Sequence, residues 1–541
     1  MRACDSDSAI GICTIAVLFM MSCGLFSCDD REPVSTCSFA TTPVFMGNDN
    51  ALAPQVGIVA FDTAVPTVAY IRISGGGEAW TIEETSAMTA HRQLVLGVKP
   101  DTEYEAVIMP SGDCGADSEQ TVSWRSPSLP EGFPPLELVS SSPERMAPGM
   151  TLFNLVSPVS YIIVVDDSGQ VRWYYAVPSE NCGMSAHRLL SNRHLIFSSG
   201  RRHIVELDWL GHPVVDWTAA NAPPLEDVES ETAADERIQV DVDAMHHSIQ
   251  EMPNGNILTL SCEGRVVDDY PTSTSDRTAP TATTLVSGDV IVEFTRTGEV
   301  VKRIALLDLL DPTRVGYGSD TEFWGDWYPG AADWSHGNAV IYDAESDAYI
   351  VSLRHQDAVV KIDRSTESVV WILGYHENWK SAWQDKLLTP IDDLIWPSHQ
   401  HAVTLTNDGI GMYDNGNVRA PAFEVPQSDY YSRAVEYVVD EQLMTVWQAW
   451  SFGEVDGDDH FFSYIMSDAD WQPVTGNILI TSGAMLPDSA PRYSYMDIRE
   501  VDDAGDTVFQ LIVGDRDGSE RQHYSGYSGD RIPDIRQFSF Y

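Results

Sequence analysis

Four histidines occupy the same place in successive copies of a repeated sequence unit. Each lies at or near the start of a hairpin, ahead of a polar turn and a second apolar run. The four residues are His187, His247, His336 and His401. Imidazoles act as nucleophiles and as general acids or bases near neutral pH. If the copies bring these positions together, the set predicts acid–base or group-transfer chemistry.

Two neighbours of His336 narrow that chemistry. In His336-Gly337-Asn338 the imidazole and the amide are two residues apart, which places them on one side of an extended strand. Arg354, in VSLRHQD, ends the next strand of the same copy. A guanidinium is planar, permanently charged and able to hold two oxygens of an anion. The pattern therefore predicts an oxyanion site, with a surface ion pair between Arg354 and Asp357 as the alternative.

The elements that must position these residues are paired short strands, which form two alternating sets of hairpins. The first set is VVDDSGQVRWYY (164–175), VELDWLGHPVVDW (205–217), VEFTRTGEVVKRI (292–304), VKIDRSTESVVWIL (360–373), VEYVVDEQLMTVWQAW (435–450) and REVDDAGDTVFQLIV (499–513). The second set covers residues 151–164, 187–199, 246–260, 336–353, 401–415 and 463–483. Two hairpins per period give four strands, so six periods predict a six-bladed β-propeller over residues 136–541. Equivalent inner strands of a propeller face one central axis, where the four histidines would share a pocket.

A smaller β-domain is predicted ahead of the propeller. Residues 38–130 carry short alternating runs such as TVAYIRIS and YEAVIMP, separated by Gly, Pro and Asp turns. Alternation with a period of two is typical of a β-sandwich. The stretch LGVKPDTEY (96–104) resembles the turn and tyrosine of fibronectin type III domains. We therefore expect an all-β chain, with a fibronectin III-like sandwich and a linker over residues 29–135.

Charge and the first residues of the chain bear on its partners and location. The net charge of −49, with a pI near 4.3, argues against nucleic acid or an anionic membrane surface as a partner. Residues 1–28 contain an apolar run that ends at LFSC, which predicts an export signal with Cys28 as a lipidated first residue. An uncleaved anchor is the alternative. Membrane contact is expected only through this anchor, on a periplasmic or cell-envelope protein.

Four further cysteines fit an oxidising compartment. They are Cys37, Cys114, Cys182 and Cys262. Two disulfides with three alternative connectivities are open to them. None lies in a CxxC or Cys/His pattern, so a structural role is expected rather than metal binding.

Several segments together resemble the bacterial arylsulfate sulfotransferases, which work without a nucleotide sulfate donor. Residues 333–374, DWSHGNAVIYDAESDAYIVSLRHQDAVVKIDRSTESVVWILG, resemble the signature region of that family. MHHSIQEMPNGNIL, QHAVTLTNDGIGMYDNG, YYSRAVEYVVDEQLMTVWQ and SDADWQPVTGNILITSG are similar to further family segments, and the resemblance covers about residues 148–515. It implies a six-bladed propeller that transfers a sulfuryl group from a phenolic sulfate ester to a phenol, with no cofactor and no metal.

The resemblance also implies roles for individual residues. The family's transiently sulfated histidine, in its Gln-His motif, falls on His401, and its active-site arginine falls on Arg354. The His-x-Asn pair falls on His336 and Asn338. The histidine before the PNGN turn falls on His247; because the family usually has His-Asp there, His246 is the alternative. Arg354 and Asn338 would hold sulfuryl oxygens, while His336 or His247 would move the phenol proton. His187 and residues 514–541 match no family motif.

Two other functions compete with this interpretation. A metal-dependent propeller hydrolase would use the imidazoles to hold Zn²⁺ or Ca²⁺. Arg354 would repel such an ion, and the sequence offers no carboxylate at the predicted start of an inner strand. A non-catalytic lipoprotein that binds partners through the propeller face is the second competitor. The natural donor and acceptor, the balance between transfer and hydrolysis, and the oligomeric state are left open by the sequence.

Overall fold

A computed structural model describes residues 38–111, 119–178, 186–224, 237–319, 321–426, 430–453, 461–486, 492–519 and 521–538. Their secondary structure is almost entirely antiparallel β, which confirms the all-β prediction. The helical elements given bounds here are short: α1 (Leu306–Leu309) and 3₁₀ turns at Arg354–Gln356, Ser381–Lys386 and Ile535–Gln537. Within the described ranges, no helix has the length and apolar character needed to span a bilayer.

The N-terminal region forms two sheets on one apolar core. Its strands are β1 (Val44–Gly47), β2 (Gly57–Thr67), β3 (Ala69–Gly75), β4 (Glu78–Glu83), β5 (Met88–Val95), β6 (Glu103–Pro110) and β7 (Gln120–Arg125). One sheet has the order β1-β2-β5 and the other β4-β3-β6-β7. The hydroxyl of buried Tyr104 accepts the Lys99 amide at 2.8 Å, a contact typical of immunoglobulin-like sandwiches. The fibronectin III assignment stays a prediction.

Six further sheets, here called blades 1 to 6, are formed by the remaining described strands. These are β8 (Leu136–Ser141), β9 (Met150–Leu155), β10 (Ser160–Val165), β11 (Val171–Val177), β12 (His187–Leu189), β13 (Leu195–Ser199), β14 (His203–Leu207), β15 (Pro213–Ala219), β16 (Ile238–Val240), β17 (His246–Glu251), β18 (Ile257–Pro271), β19 (Thr281–Phe294), β20 (Val300–Ala305), β21 (Ala332–Asp333), β22 (Gly337–Asp343), β23 (Ala348–Leu353), β24 (Ala358–Asp363), β25 (Ser368–Gly374), β26 (Thr389–Pro390), β27 (His401–Leu405), β28 (Ile410–Asp414), β29 (Arg433–Asp440), β30 (Thr445–Phe452), β31 (Asp468–Trp471), β32 (Ile478–Met485), β33 (Tyr495–Val501), β34 (Thr507–Val513) and β35 (Gly529–Ile532).

Each blade runs outward from one inner strand. Blades 2, 3 and 4 begin at β12, β17 and β22 and continue in chain order, with β21 beside β19. Blade 5 has the order β27-β28-β29-β30-β26, and blade 6 the order β31-β32-β33-β34-β8. Contacts link the inner strands β12, β17, β22, β27, β31 and β35 in series. An ion pair between Arg188 of β12 and Asp530 of β35 completes the circle, which is the arrangement of a β-propeller.

Blade 1 differs from the expected pattern of two consecutive hairpins. Residues 150–177 supply only three of its strands, and the inner strand is β35 from the tail that matched no motif. The side chain of Asn154 on β9 accepts the backbone amides of Tyr527 and Ser528 at 2.9 and 3.0 Å, just before β35 begins. The start of the propeller therefore fixes the C-terminal tail at the central axis.

The cysteine and signal predictions fall largely outside the described residues. Cys28, Cys37, Cys114 and Cys182 all lie there. Cys262 is described, and it is a fully buried free thiol rather than half of a disulfide. Lipidation at Cys28 and a pairing among the other three cysteines stay predictions.

Candidate active site

Three inner strands have an irregular backbone at their first residues, next to the predicted site residues. The strand register shifts between His246 and Ile249, between Gly337 and Ala339, and between His401 and Thr404. His247, His336 and Ala402 have φ angles of 58°, 44° and 53°. A non-glycine residue in this region costs on the order of 1–3 kcal/mol, and bulges turn side chains away from their regular direction. The inner ends of blades 3, 4 and 5 therefore share a strained, irregular backbone.

The predicted histidines of blades 3, 4 and 5 lie around a tyrosine from the tail. The ring centroids of His247 and His336 are 5.3 Å apart. Tyr527 packs against His247 at 5.7 Å and against His401 at 6.0 Å. Its hydroxyl donates to the backbone oxygen of Asn338 at 2.8 Å. Tyr527 was missed from the sequence because residues 514–541 matched no motif.

Hydrogen bonds define one tautomer of His401. Its Nδ1 lies 2.7 Å from Oδ1 of Asn415. The amide nitrogen of Asn415 donates to the carbonyls of Ser463 and Met466 at 2.9 and 3.1 Å, so its oxygen must face the imidazole. Nδ1 of His401 therefore carries the proton, which leaves the lone pair of the ring on Nε2. Burial, reinforced by Arg354, holds the pKa of His401 well below its usual value, so the ring is neutral at pH 7.

A buried carboxylate orients His336. Oδ2 of Asp333 lies 2.5 Å from Nδ1 of His336 and also accepts the hydroxyl of Thr321 at 2.7 Å. Burial alone would raise the pKa of Asp333, but His336, His355 and these hydrogen bonds outweigh it and lower that pKa. An ionised carboxylate on Nδ1 leaves Nε2 of His336 to exchange a proton with a ligand, as in other Asp–His pairs.

His246 and His247 have different surroundings. His246 is 1% exposed, and its Nε2 lies 3.1 Å from the Ser261 carbonyl and 3.3 Å from Asp289. Its Nδ1 lies 2.7 Å from Nδ1 of His247. His247, at the bulge, is the ring that meets His336 and Tyr527. His246 supports it from behind, and burial lowers the pKa of His247 well below its usual value.

His187 belongs to a different neighbourhood. It is fully buried, its Nδ1 lies 3.2 Å from the Ser528 hydroxyl, and its Nε2 lies 3.3 Å from Asp530. Burial lowers the pKa of His187 to about 4. It therefore packs beside the tail, and no contact in the described residues joins it to the other three histidines.

Arg354 is a cation without a carboxylate partner. It begins the 3₁₀ turn after β23, and its backbone amide donates to the His336 carbonyl at 3.2 Å. Its guanidinium forms no ion pair or hydrogen bond with any described residue. Asp357, the alternative partner, instead accepts the backbone amide of His399 at 2.7 Å. Burial lowers the pKa of Arg354, although the group stays charged at pH 7. A bound oxyanion would supply the missing counter-charge.

Asn338 and Gln400 connect the strands that carry His336 and His401. Nδ2 of Asn338 donates to the Gln400 carbonyl at 2.6 Å. The Gln400 amide in turn donates to Oγ of Ser352 at 3.1 Å and to the Ala358 carbonyl at 3.0 Å. Both side chains are fully buried. Asn338 thus donates one of its two side-chain N–H groups to the strand of His401, and the other remains for a ligand.

An aromatic wall lies beside the histidines. Phe323 is half-buried, and its ring is 4.6 Å from His336 and 5.2 Å from His247. The guanidinium of Arg201 stacks on Phe323 at 4.8 Å and on Trp327 at 4.5 Å. This wall lies in the connection between blades 3 and 4. The aromatic run FWGDWY (323–328) is the sequence signal that could have predicted it.

The structure corrects one argument against a metal site. Asp468 is the first residue of inner strand β31, so a carboxylate does begin an inner strand. Asp333, His336 and His355 also place one ligand atom each within 4.8 Å of one another. However, Nδ1 of His336 is engaged by Asp333, and Nδ1 of His355 lies 2.7 Å from the Asp333 backbone oxygen. These contacts engage Nδ1 of both rings, and Oδ2 of Asp333 also accepts the hydroxyl of Thr321.

Comparisons with known proteins point to one family. A family model described as arylsulfotransferase (ASST) matches residues 136–524. A protein of Escherichia coli O6:H1 named arylsulfate sulfotransferase AssT is 32% identical over 275 residues, which cover 42% of this chain and 43% of that protein. A protein of the same name from Lelliottia amnigena is 32% identical over 240 residues, covering 36% and 40%. The chain thus matches less than half the length of these relatives.

Similarity to solved structures is weak. The crystal structure of the β-propeller domain of Myceliophteria thermophila Cps50 (Swd1) covers 70% of this chain and 89% of that chain. Its sequence identity is 12% and its TM-score is 0.32. No inference is based on this similarity.

The hydrogen bond to Asn415 makes a testable prediction about His401. In ¹⁵N-histidine NMR spectra we expect His401 to be the Nδ1–H tautomer and to stay neutral as the pH falls through 6.5, because burial and Arg354 lower its pKa. Asn415→Leu should mix the two tautomers. Asn415→Asp should retain the tautomer but raise the pKa, because the added carboxylate favours the imidazolium. A wild-type His401 that titrates at 6.5 or above contradicts this assignment.

Proposed function

This chain belongs to the arylsulfotransferase family, and from that premise we propose that it transfers a sulfuryl group from a phenolic sulfate ester to a phenolic acceptor. The observation that carries the proposal is the lone pair on Nε2 of His401, set by Asn415 at the centre of the propeller. A neutral imidazole with one defined nucleophilic nitrogen is what covalent group transfer requires. Both substrates would be small molecules.

In the first half-reaction Nε2 of His401 attacks sulfur in line with the phenolic oxygen. An N–S bond forms and the S–O bond to the aryl group breaks, so the phenolate leaves with the bonding electrons. The sulfated imidazole gains a positive charge, and its Nδ1–H still donates to Asn415. Protonated His336, stabilised by Asp333 on Nδ1, gives its proton to the phenolate. His247, whose ring centroid is 5.3 Å from that of His336, is kept neutral by burial and is therefore not the proton donor in this step.

The second half-reaction reverses these steps with a different phenol. Neutral His336 takes the proton of the acceptor hydroxyl, the phenolic oxygen attacks sulfur, and the N–S bond breaks. His401 returns to its neutral form and His336 to its protonated form. No proton is gained or lost over the cycle.

Arg354 and Phe323 would bind the two parts of the substrate, the sulfuryl group and the aryl group. The unpaired guanidinium would hold the sulfuryl oxygens, whose charge spreads in a loose transition state like that of phosphoryl transfer. One N–H of Asn338 would assist it. The ring of Phe323 offers a flat apolar surface beside His336 and His247, which favours an aryl ester over an alkyl ester.

We also propose where the chain is located and how it divides into domains. The predicted signal over residues 1–28, with lipid on Cys28, would place the enzyme at the outer side of a membrane. Residues 29–135 would form the fibronectin III-like domain with its linker, and residues 136–541 the catalytic propeller. The net charge of −49 would repel an anionic sulfate ester at long range, so local groups such as Arg354 would have to bind it.

The first test measures 4-nitrophenol release from 4-nitrophenyl sulfate, with and without added phenol. We expect steady release that depends on phenol, and His401→Ala should reduce it by at least about 10³-fold, because the nucleophile is lost. His212→Ala, at a half-exposed position outside the site, is the matched control. Near-full activity of His401→Ala would refute the nucleophile assignment. Release that ignores phenol would indicate a sulfatase, and no release at all would favour a binding protein.

The second test separates proton transfer from nucleophilic attack. His336→Ala should slow transfer from phenyl sulfate by about 10²–10⁴-fold, because phenolate is a poor leaving group that needs a proton. The loss should be much smaller with 4-nitrophenyl sulfate, whose phenolate leaves unaided. Asp333→Asn should show the same dependence on the donor more weakly. Equal losses with both donors would assign His336 a structural role instead.

A further inference from the structure

A second polar cluster lies where the ring of blades closes. Asp468 and Asp470 lie on β31 of blade 6, and Asp530 lies on β35 of blade 1. One carboxylate oxygen from each lies within 4.8 Å of the other two. Asp468 and Asp470 also line a cavity of about 180 Å³ that extends to Tyr527 and His247. Neither the family resemblance nor the proposed transfer reaction assigns a role to any of these three residues.

Only one of the three carboxyl groups, that of Asp530, is paired with an arginine among the described residues. Arg188 lies 3.2 and 3.3 Å from the two oxygens of Asp530. Among the described residues it is the only cation within ion-pair distance of the three carboxylates, apart from His187 should that ring be protonated. Asp468 is 1% exposed, and its Oδ2 has no hydrogen-bond partner in the described part of the chain. A buried carboxyl oxygen without a donor is costly unless a proton or a cation neutralises it.

The ligand set indicates the kind of cation. Three carboxylates offer only hard oxygen ligands, which suit Ca²⁺ and Mg²⁺ rather than Zn²⁺ or copper. These ions complete six to eight ligands with water or backbone oxygens, and the cavity has room for several waters.

We propose that Asp468, Asp470 and Asp530 bind one hard divalent cation, Ca²⁺ or Mg²⁺, that ties blade 6 to the C-terminal strand of blade 1. The ion bridges β31 and β35 at the point where the propeller closes. Because Tyr527 lies three residues before Asp530, the same ion steadies the tail residue that packs against His247 and His401. This role is structural and is independent of the proposed transfer reaction.

The test compares thermal unfolding and calorimetric titration of the purified chain after EDTA treatment. When CaCl₂ or MgCl₂ is added at constant ionic strength, the chain should bind one equivalent of the cation. At saturation the midpoint temperature of unfolding should rise by about 2–5 °C. The Ca²⁺ and Mg²⁺ arms identify which ion the site prefers. Asp468→Asn and Asp470→Asn should each weaken binding at least about tenfold. Asp393→Asn, which removes an exposed carboxylate elsewhere, should leave binding unchanged.

The outcomes separate this proposal from the proposed function. His401→Ala should keep the full response to the cation, whatever it does to sulfuryl transfer. If neither ion binds the wild-type chain up to millimolar concentration, the carboxylates share protons instead and the proposal is wrong. It is also wrong if Asp468→Asn and Asp470→Asn both bind the cation as tightly as wild type. If one variant does not fold, the other decides.

Discussion

The candidate site depends on closure of the propeller by its C-terminal strand. Strand β35 pairs with β9, and the side chain of Asn154 accepts the two backbone amides that precede β35. This pairing joins residues almost 380 positions apart and brings Tyr527 between His247 and His401. Without closure, the inner strands would have no common axis and the histidines of blades 3, 4 and 5 would not meet.

Convergence on one axis forces polar groups into a region with little water, and their arrangement follows from that cost. Each imidazole of the site has a hydrogen-bond partner at Nδ1: Asn415 for His401, Asp333 for His336 and His246 for His247. Burial keeps His401 and His247 neutral. Arg354 is the exception, a charged group that lacks a partner among the described residues. Asp357 and Asp333 attract this guanidinium only from beyond ion-pair distance.

Much of this was predictable from the sequence, and the rest depended on long-range contacts. The repeated hairpins predicted the inner positions of His247, His336 and His401, because a propeller repeats its geometry along the chain. The tail strand was not predictable, since its four residues carry too short a pattern and pair with the other end of the repeat. The choice of His247 over His246 depended on a bulge with positive φ, which hydrophobic periodicity does not reveal. Asp333 and Asn415 lay inside recognised motifs, but only the fold showed which imidazole each one holds.

The most direct test of the central claim is to trap the covalent intermediate. The chain would be incubated with ³⁵S-labelled 4-nitrophenyl sulfate without acceptor, quenched under alkaline conditions, digested and mapped by mass spectrometry. The account predicts up to one labelled sulfuryl group per chain, on the peptide that contains His401, and its release on addition of phenol. Label on another residue, or phenol-dependent turnover with no label on the protein, would contradict a mechanism through His401.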